Sequence, residues 1–403
     1  MSANFLDLDA LLTDEEKLLR HTVRQFTEER ILPEVADWWE HGTFPSEIAK
    51  EMGKLGLLGM HLDGYGCAGT SATAYGLACL ELEAGDSGTR SFVSVQGSLA
   101  MFPIWKFGSE EQKQEWLPQM AAGEAIGCFG LTEPDSGSDP ASMRTTARKD
   151  RSDWILNGTK MWITNGNVAD IAIIWARTEG ADGGRIRGFI VPTDSSGFKA
   201  NVIHRKASLR ASITSELVLD GVRVPDEFVL PGVSSMRGPL SCLNEARFGI
   251  LFGVMGAARA CYESALVYAK EREQFGGPIA SYQLTQQKLV EMMVIVNRGT
   301  LLALHLGRMK DEGRLTPEQV SFGKLDNVRN ALEVARSARS VLGANGITLE
   351  YPVFRHMANL ETVYTYEGTN EIHTLILGQA ITGIPAFLPP PGGGPAKPAG
   401  GGA

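Results

Sequence analysis

CFGLTEPDSGSD, residues 128–139, stands where a helical texture gives way to strands. Upstream, about 13–125 carries a helical pattern. It begins at Thr13, an N-cap ahead of DEEKLLRHTVRQFTEER, where acids crowd the first turn. Downstream, short strand-like runs follow: WILNGTKMWITNG, ADIAIIWART, RGFIVPT and SELVLDGVRVP. Asn157-Gly158 and Asp220-Gly221 read as turn dipeptides between them. After 240, Phe248, Leu251, Phe252, Met255, Tyr262 and Leu266 recur at three- and four-residue steps on one stripe. Thr316-Pro317-Glu318-Gln319 combines an N-cap, a first-turn proline and a capping-box glutamine, so another helix starts there. The expectation is an α+β multidomain chain: helical over 1–125, β-rich over 126–235 and helical over 236–388. The tail 389–403, rich in Pro and Gly, has too little apolar surface to order and is expected to be disordered. Taken alone, 128–139 could be any Asx- and Ser-rich loop.

Composition narrows the partners. A chain of 403 residues exceeds one ordinary core, and 43% hydrophobic with 21% charged residues is globular. No uninterrupted apolar run reaches the roughly 18 residues of a membrane span. A net charge of -9 disfavours a phosphate backbone as ligand, so no nucleic-acid partner and no membrane insertion are expected. Five widely spaced cysteines without a CxxC pair read as reduced thiols, and no metal site is expected. The acidic start MSANFLDLDALLTDEEK lacks the marks of a signal or transit peptide, so the expected location is the cytoplasm. There is no internal repeat, no GxGxxG after a strand and no Walker motif, which disfavours Rossmann and P-loop sites.

Several motifs together resemble the acyl-CoA dehydrogenase family over nearly the whole chain. The resemblance implies an N-terminal helical domain, a middle β-barrel-like domain, a C-terminal four-helix bundle, and FAD as cofactor. In 128–139, Phe129, Leu131, Thr132, Gly137 and Ser138 match positions beside the flavin, with Ser138 also facing substrate. The run Asn157–Asn165 matches the family too, and implies that Trp162, Ile163 and Thr164 pack against the flavin. Arg272-Glu-Gln-Phe275-Gly276 and Gln283 match contacts to the FAD pyrophosphate and adenine end from a neighbouring subunit. A guanidinium fork suits phosphate oxygens. Ser340, Leu342, Gly343, Ala344 and Gly346 match a second cross-subunit turn, where Ala344 replaces the family's second glycine.

In Tyr366-Glu367-Gly368-Thr369 the family's catalytic base is the glutamate, so Glu367 is the implied base, with Tyr366 and Gly368 at the substrate. Thr369 and Glu371 match FAD contacts. A carboxylate dried by substrate becomes a stronger base, because desolvation disfavours its charged form. GYGCAG at 64–69, the stretch Glu83–Ser91 and Ser94-Val-Gln96 look like the glutaryl-CoA dehydrogenase branch of the family. There Arg90 would pair with a distal carboxylate, with Ser91 and Glu83 beside it; otherwise Arg90 neutralises Asp86 or Glu83. Asn244 and Arg247 match the CoA approach, although Arg247 could be a helix salt bridge. Thr89 stands where many relatives carry an aromatic, and Asn370-Glu371 follows the general family pattern.

The implied reaction is oxidative decarboxylation of glutaryl-CoA to crotonyl-CoA and carbon dioxide, a step of lysine and tryptophan degradation. The alternatives are oxidation of another short or dicarboxylic acyl-CoA without decarboxylation, and a flavin-binding scaffold without turnover. Electron-transferring flavoprotein is the implied acceptor, and a homo-oligomer, a dimer of dimers, the implied assembly.

Overall fold

Residues 4–180 and 183–387 are described by the computed structural model, and the Pro/Gly tail from 389 lies outside them. The first helix starts as expected: Thr13 Oγ1 accepts from the Glu16 N–H at 3.2 Å, and the Glu16 carboxylate accepts from the Thr13 N–H at 2.9 Å. The N-terminal part contains α1 (Asp14–Phe26), α2 (Val35–His41), α3 (Ile48–Lys54), α4 (Ala72–Gly85), α5 (Ser87–Ser94), α6 (Phe102–Phe107) and α7 (Glu110–Ala121). Helices α4 and α5 are buried on nearly every face, so this region's core lies under them. Asp86, between the two, caps α5 by accepting from the Gly88 N–H at 2.6 Å.

Glu81 on α4 ties three helices together. Its side chain is wholly buried and accepts from Arg24 at 2.9 Å and Arg259 at 2.6 Å. Burial alone would push this carboxyl up, but Arg259 and Arg24 overcome it and hold it at about 2. Since that lies below an ordinary glutamate, the stability it lends is present above about pH 4.5 and is lost as pH falls from there toward 2. Acid titration of unfolding should show a loss on the order of 3 kcal/mol across that window that is missing in Glu81→Gln. An unchanged acid limb in that variant would contradict the assignment.

The middle of the chain is a curled sheet of β1 (Gly127–Gly130), β2 (Thr146–Asp150), β3 (Asp153–Thr164), β4 (Ile171–Thr178), β5 (Ile186–Pro192), β6 (Phe198–Val202) and β7 (Thr214–Pro225). The path runs β1-β4-β2-β3-β7-β6, with β5 also on β4. Almost all of β4 is buried, as its apolar run requires. The dipeptides read as turns are a correction. Asn157-Gly158 lies inside β3 and Asp220-Gly221 inside β7, facing each other where the register shifts. Asn157 Oδ1 accepts from the Gly221 N–H at 2.8 Å. A Cβ on Gly158 would fall 2.4 Å from Thr145 Oγ1, so the glycine permits a close strand approach rather than a chain reversal.

The C-terminal part holds α8 (Arg237–Glu271), a short hairpin of β8 (Glu273–Gln274) and β9 (Gly277–Pro278), α9 (Gln283–Asp311), α10 (Pro317–Leu342), α11 (Pro352–Thr365) and α12 (Asn370–Thr382). The Thr316–Gln319 capping box forms as read. Helices α8, α9 and α10 pack together, and α11 completes the bundle against α8 and α10. By length and composition α8 and α9 could cross a membrane, but two-thirds of the apolar stretch of α8 is buried in the bundle. On α9 less than half is buried, and Leu284, Val290, Val294 and Leu301 stay exposed.

Candidate active site

The chain turns sharply between α11 and α12. Tyr366 closes α11 through its N–H to the Thr362 carbonyl, and Thr369 opens α12 by accepting from the Ile372 N–H. Between them Glu367 has φ 51° and Gly368 φ 93°. A glutamate in the left-handed region is strained, by about 1–3 kcal/mol, and needs its surroundings to hold it there. A Cβ on Gly368 would meet His373 Nε2 at 2.8 Å, so only glycine fits the second position. Three successive carbonyls are gripped by cations: Lys324 Nζ donates to Tyr366 O and, at 2.7 Å, to Gly368 O, while Arg247 Nε donates to Glu367 O at 2.7 Å. Asn244 Oδ1 accepts from Arg247 Nη1 at 3.2 Å.

The Glu367 carboxylate lies in this buried ground, and its Oε2 has no partner among the described residues. Burial pushes it above the ordinary glutamate range, and Arg90, Lys324 and Arg247 only partly pull it back. Burial lowers Lys324 to about 7, against the pull of Glu367. It likewise lowers Arg247.

Beside Glu367, α4 and α5 deliver a buried guanidinium. Arg90 Nε donates to Glu83 Oε2 at 2.6 Å, and Ser87 Oγ donates to the other Glu83 oxygen at 2.8 Å. Arg90 Nη2 donates to the Tyr366 hydroxyl, and Ser91 Oγ lies 3.3 Å from that hydroxyl. Nη1 is buried with no partner. Burial disfavours the charge, but Glu83 and Tyr366 more than restore it, so Arg90 stays cationic. Of the two acids near Arg90 in sequence, Asp86 is taken by Arg355 and Asn359. Glu83 takes Nε and the Tyr366 hydroxyl takes Nη2, so of the guanidinium nitrogens Nη1 alone is left without a partner among the described residues. A Cβ on Gly253 would lie 2.1 Å from Glu83 Oε2, so this glycine lets α8 close over the pair.

A second group lines the sheet. Phe129 and Leu131 are buried, and the Thr132 carbonyl accepts from the Met161 N–H at 2.8 Å, which joins the 128–139 segment to β3. Trp162 has φ 64° and an indole 60% exposed, between buried Ile163 and half-buried Thr164. Gly137 and Ser138 are exposed, with open space over Gly137. An exposed indole on a strained backbone, beside an open loop, fits a planar ring system laid against the sheet.

A third group sits at the far end of the bundle. Arg272 is exposed, and its guanidinium has no hydrogen bond or ion pair among the described residues. Phe275, at the tip of the β8–β9 hairpin, is 97% exposed, and Gln283 starts α9 beside it. The 340–346 turn reaches this end: Asn345 Nδ2 donates to the Tyr268 hydroxyl at 3.1 Å, one helical turn before Arg272. Gly343, Ala344 and Ser340 are exposed, whereas Leu342 is packed inward and Gly346 is buried against Arg339. Glu371, by contrast, is exposed in the first turn of α12, directly after the Glu367-Gly368 kink. Among the described residues no hydrogen bond joins this end to Glu367.

Two residues escaped the sequence reading. Lys324 is one. Its signal was a lysine on the apolar stripe of α10, in register with Val320 and Val328. The other is Glu133, which accepts from Lys160 Nζ at 2.8 Å and from the Arg144 and Thr145 N–H groups at 2.6 and 2.9 Å. It pins the 128–139 segment from beneath.

Comparisons with known proteins show the family to which the three regions belong. The acyl-CoA dehydrogenase N-terminal, middle and C-terminal domain families match residues 13–124, 128–222 and 236–382. A crystal structure of glutaryl-CoA dehydrogenase from Mycobacterium smegmatis is 65% identical and superposes with a TM-score of 0.94, covering 96% of this chain and 100% of that one. Another, of a glutaryl-CoA dehydrogenase from the same organism in complex with FADH2, is 62% identical with the same coverage and a TM-score of 0.94. An acyl-CoA dehydrogenase from Bacillus subtilis is 36% identical over 92% of this chain and 99% of its own length.

Proposed function

The chain belongs to the acyl-CoA dehydrogenase family, and from that premise we propose that it uses FAD to convert glutaryl-CoA to crotonyl-CoA and carbon dioxide. One observation carries the reading: Glu367 Oε2 and Arg90 Nη1 are both buried without partners, in one cluster bridged by Tyr366. Buried polar atoms left unpaired are costly, so the cluster is built to be completed by a ligand. A dicarboxylic thioester completes both ends. Its distal carboxylate takes the free Nη1 of Arg90, and its acidic α C–H faces the carboxylate of Glu367.

Desolvation has already raised the proton affinity of Glu367, which suits a base that must deprotonate a weak carbon acid. Bound flavin supplies the two-electron oxidant that accepts hydride from the β carbon. Once the double bond exists, the carboxylate held by Arg90 can leave as carbon dioxide, because its electron pair delocalises into the thioester. Glu367, now protonated, returns its proton to the resulting dienolate. Mass analysis of the product tests the claim: crotonyl-CoA is expected, and glutaconyl-CoA would reduce it to oxidation alone.

The Trp162–Thr164 wall and the Phe129–Ser138 segment would hold the flavin. Arg272, Phe275, Gln283 and the 340–346 turn would serve the dinucleotide of a neighbouring subunit, with Thr369 and Glu371 at the start of α12 also beside FAD. The free guanidinium of Arg272, the protruding Phe275 and the exposed apolar stripe of α9 support an assembly of at least two chains, with a tetramer favoured. Electron-transferring flavoprotein is the proposed acceptor. The five free thiols suit the cytoplasm.

Arg272→Ala should lose a charge-assisted contact worth about 1.5–3 kcal/mol, and FAD should dissociate roughly 10- to 150-fold more readily. Flavin absorbance per chain after gel filtration reads this out. Parental flavin content would remove the shared-site argument.

A further inference from the structure

Lys324 is 1% exposed on α10, and among the described residues no carboxylate lies within ion-pair distance of it. Its ammonium instead bridges two carbonyls, those of Tyr366 and Gly368, which stand on either side of Glu367. The peptide plane explains why this matters. A trans peptide sets the carbonyl of one residue opposite the N–H of the next, so fixing the Tyr366 carbonyl fixes where the Glu367 N–H points. That N–H donates to no group among the described residues. With Arg247 on the carbonyl between, two basic side chains hold three consecutive carbonyls, and none of these bonds uses the Glu367 N–H.

We propose that Lys324 is a positioning residue that locks the left-handed Glu367-Gly368 kink, so that the base carboxylate and its own N–H face the thioester together. An N–H held there is an oxyanion donor for the enolate that forms when Glu367 takes the α proton. The charge has a second effect. Glu367 is faced by the cations Arg90, Lys324 and Arg247, by Glu83 and by the neutral His373, and removing one cation lets burial raise it further. The proposal rests on Glu367 being the base.

The test is single-turnover flavin bleaching by glutaryl-CoA in the Lys324→Gln holoenzyme across a pH series, with acyl-CoA affinity measured alongside. Reduction should slow on the order of 100-fold, its acidic limb should move to higher pH, and acyl-CoA affinity should stay parental. Lys324→Arg keeps the charge but cannot seat one nitrogen between both carbonyls; its reduction should slow on a parental limb. A parental rate in Lys324→Gln overturns the proposal, as does a uniform loss at every pH with affinity falling in step. If Lys324→Gln yields no flavin-loaded protein, Lys324→Arg decides alone, and a parental rate there is the overturning result. Reduction surviving in Glu367→Gln would instead remove the base assignment. An inert Glu367→Gln beside a parental Lys324→Gln removes only the role of Lys324.

Discussion

Glu367→Gln is expected to retain FAD and bind acyl-CoA while losing flavin reduction by roughly 10²- to 10⁴-fold, the range that general-base catalysis contributes. The amide keeps the shape of the side chain and leaves the Lys324 and Arg247 grips on the backbone untouched, since both act on carbonyls. What it removes is the proton acceptor. In the parent, reduction should rise with pH as Glu367 ionises. Because burial lifts its pKa, that limb should lie on the alkaline side of about 4.3, the value for an ordinary glutamate. Stopped-flow absorbance of the oxidised flavin measures both quantities. Reduction persisting above a trace in the variant places the base elsewhere.

Arg90→Ala should cost glutaryl-CoA turnover on the order of 3–5 kcal/mol, because the distal carboxylate would be buried without a counter-ion. Every 1.4 kcal/mol is about tenfold, so kcat/KM should fall roughly 10²- to 10³-fold or more. The same truncation strips Glu83 of its partner and Tyr366 of a donor, so thermal stability should drop as well. Butyryl-CoA separates these effects. It meets the same altered fold but carries no distal charge, and its turnover should fall far less. The readout is therefore the ratio of the two efficiencies. Equal declines would make Arg90 structural and leave the glutaryl reading without its main support.

Much of this was legible in the sequence, for physical reasons that can be named. Thr13 and Thr316 announce their helices because capping chemistry is local, confined to four residues. The helical stripe after 240 is visible because burial imposes one period along a single element. Asn157-Gly158 was misread because the same dipeptide that reverses a hairpin also relieves a crowded strand; only the approach of Thr145 tells the two apart. Arg90 and Tyr366, 276 residues apart, meet through tertiary packing that no local pattern encodes. Lys324 was hidden for a related reason: its acceptors are backbone carbonyls, which every residue carries and which leave no mark in the sequence.

In the proposed reaction Glu367 and Arg90 together make a dry site for a thioester with a distal carboxylate. Anaerobic mixing of the flavin-loaded protein with glutaryl-CoA tests it most directly. Rapid bleaching of the oxidised flavin band is expected, far faster than with butyryl-CoA at equal concentration. A flavin left oxidised by glutaryl-CoA, or bleached faster by butyryl-CoA, would contradict it.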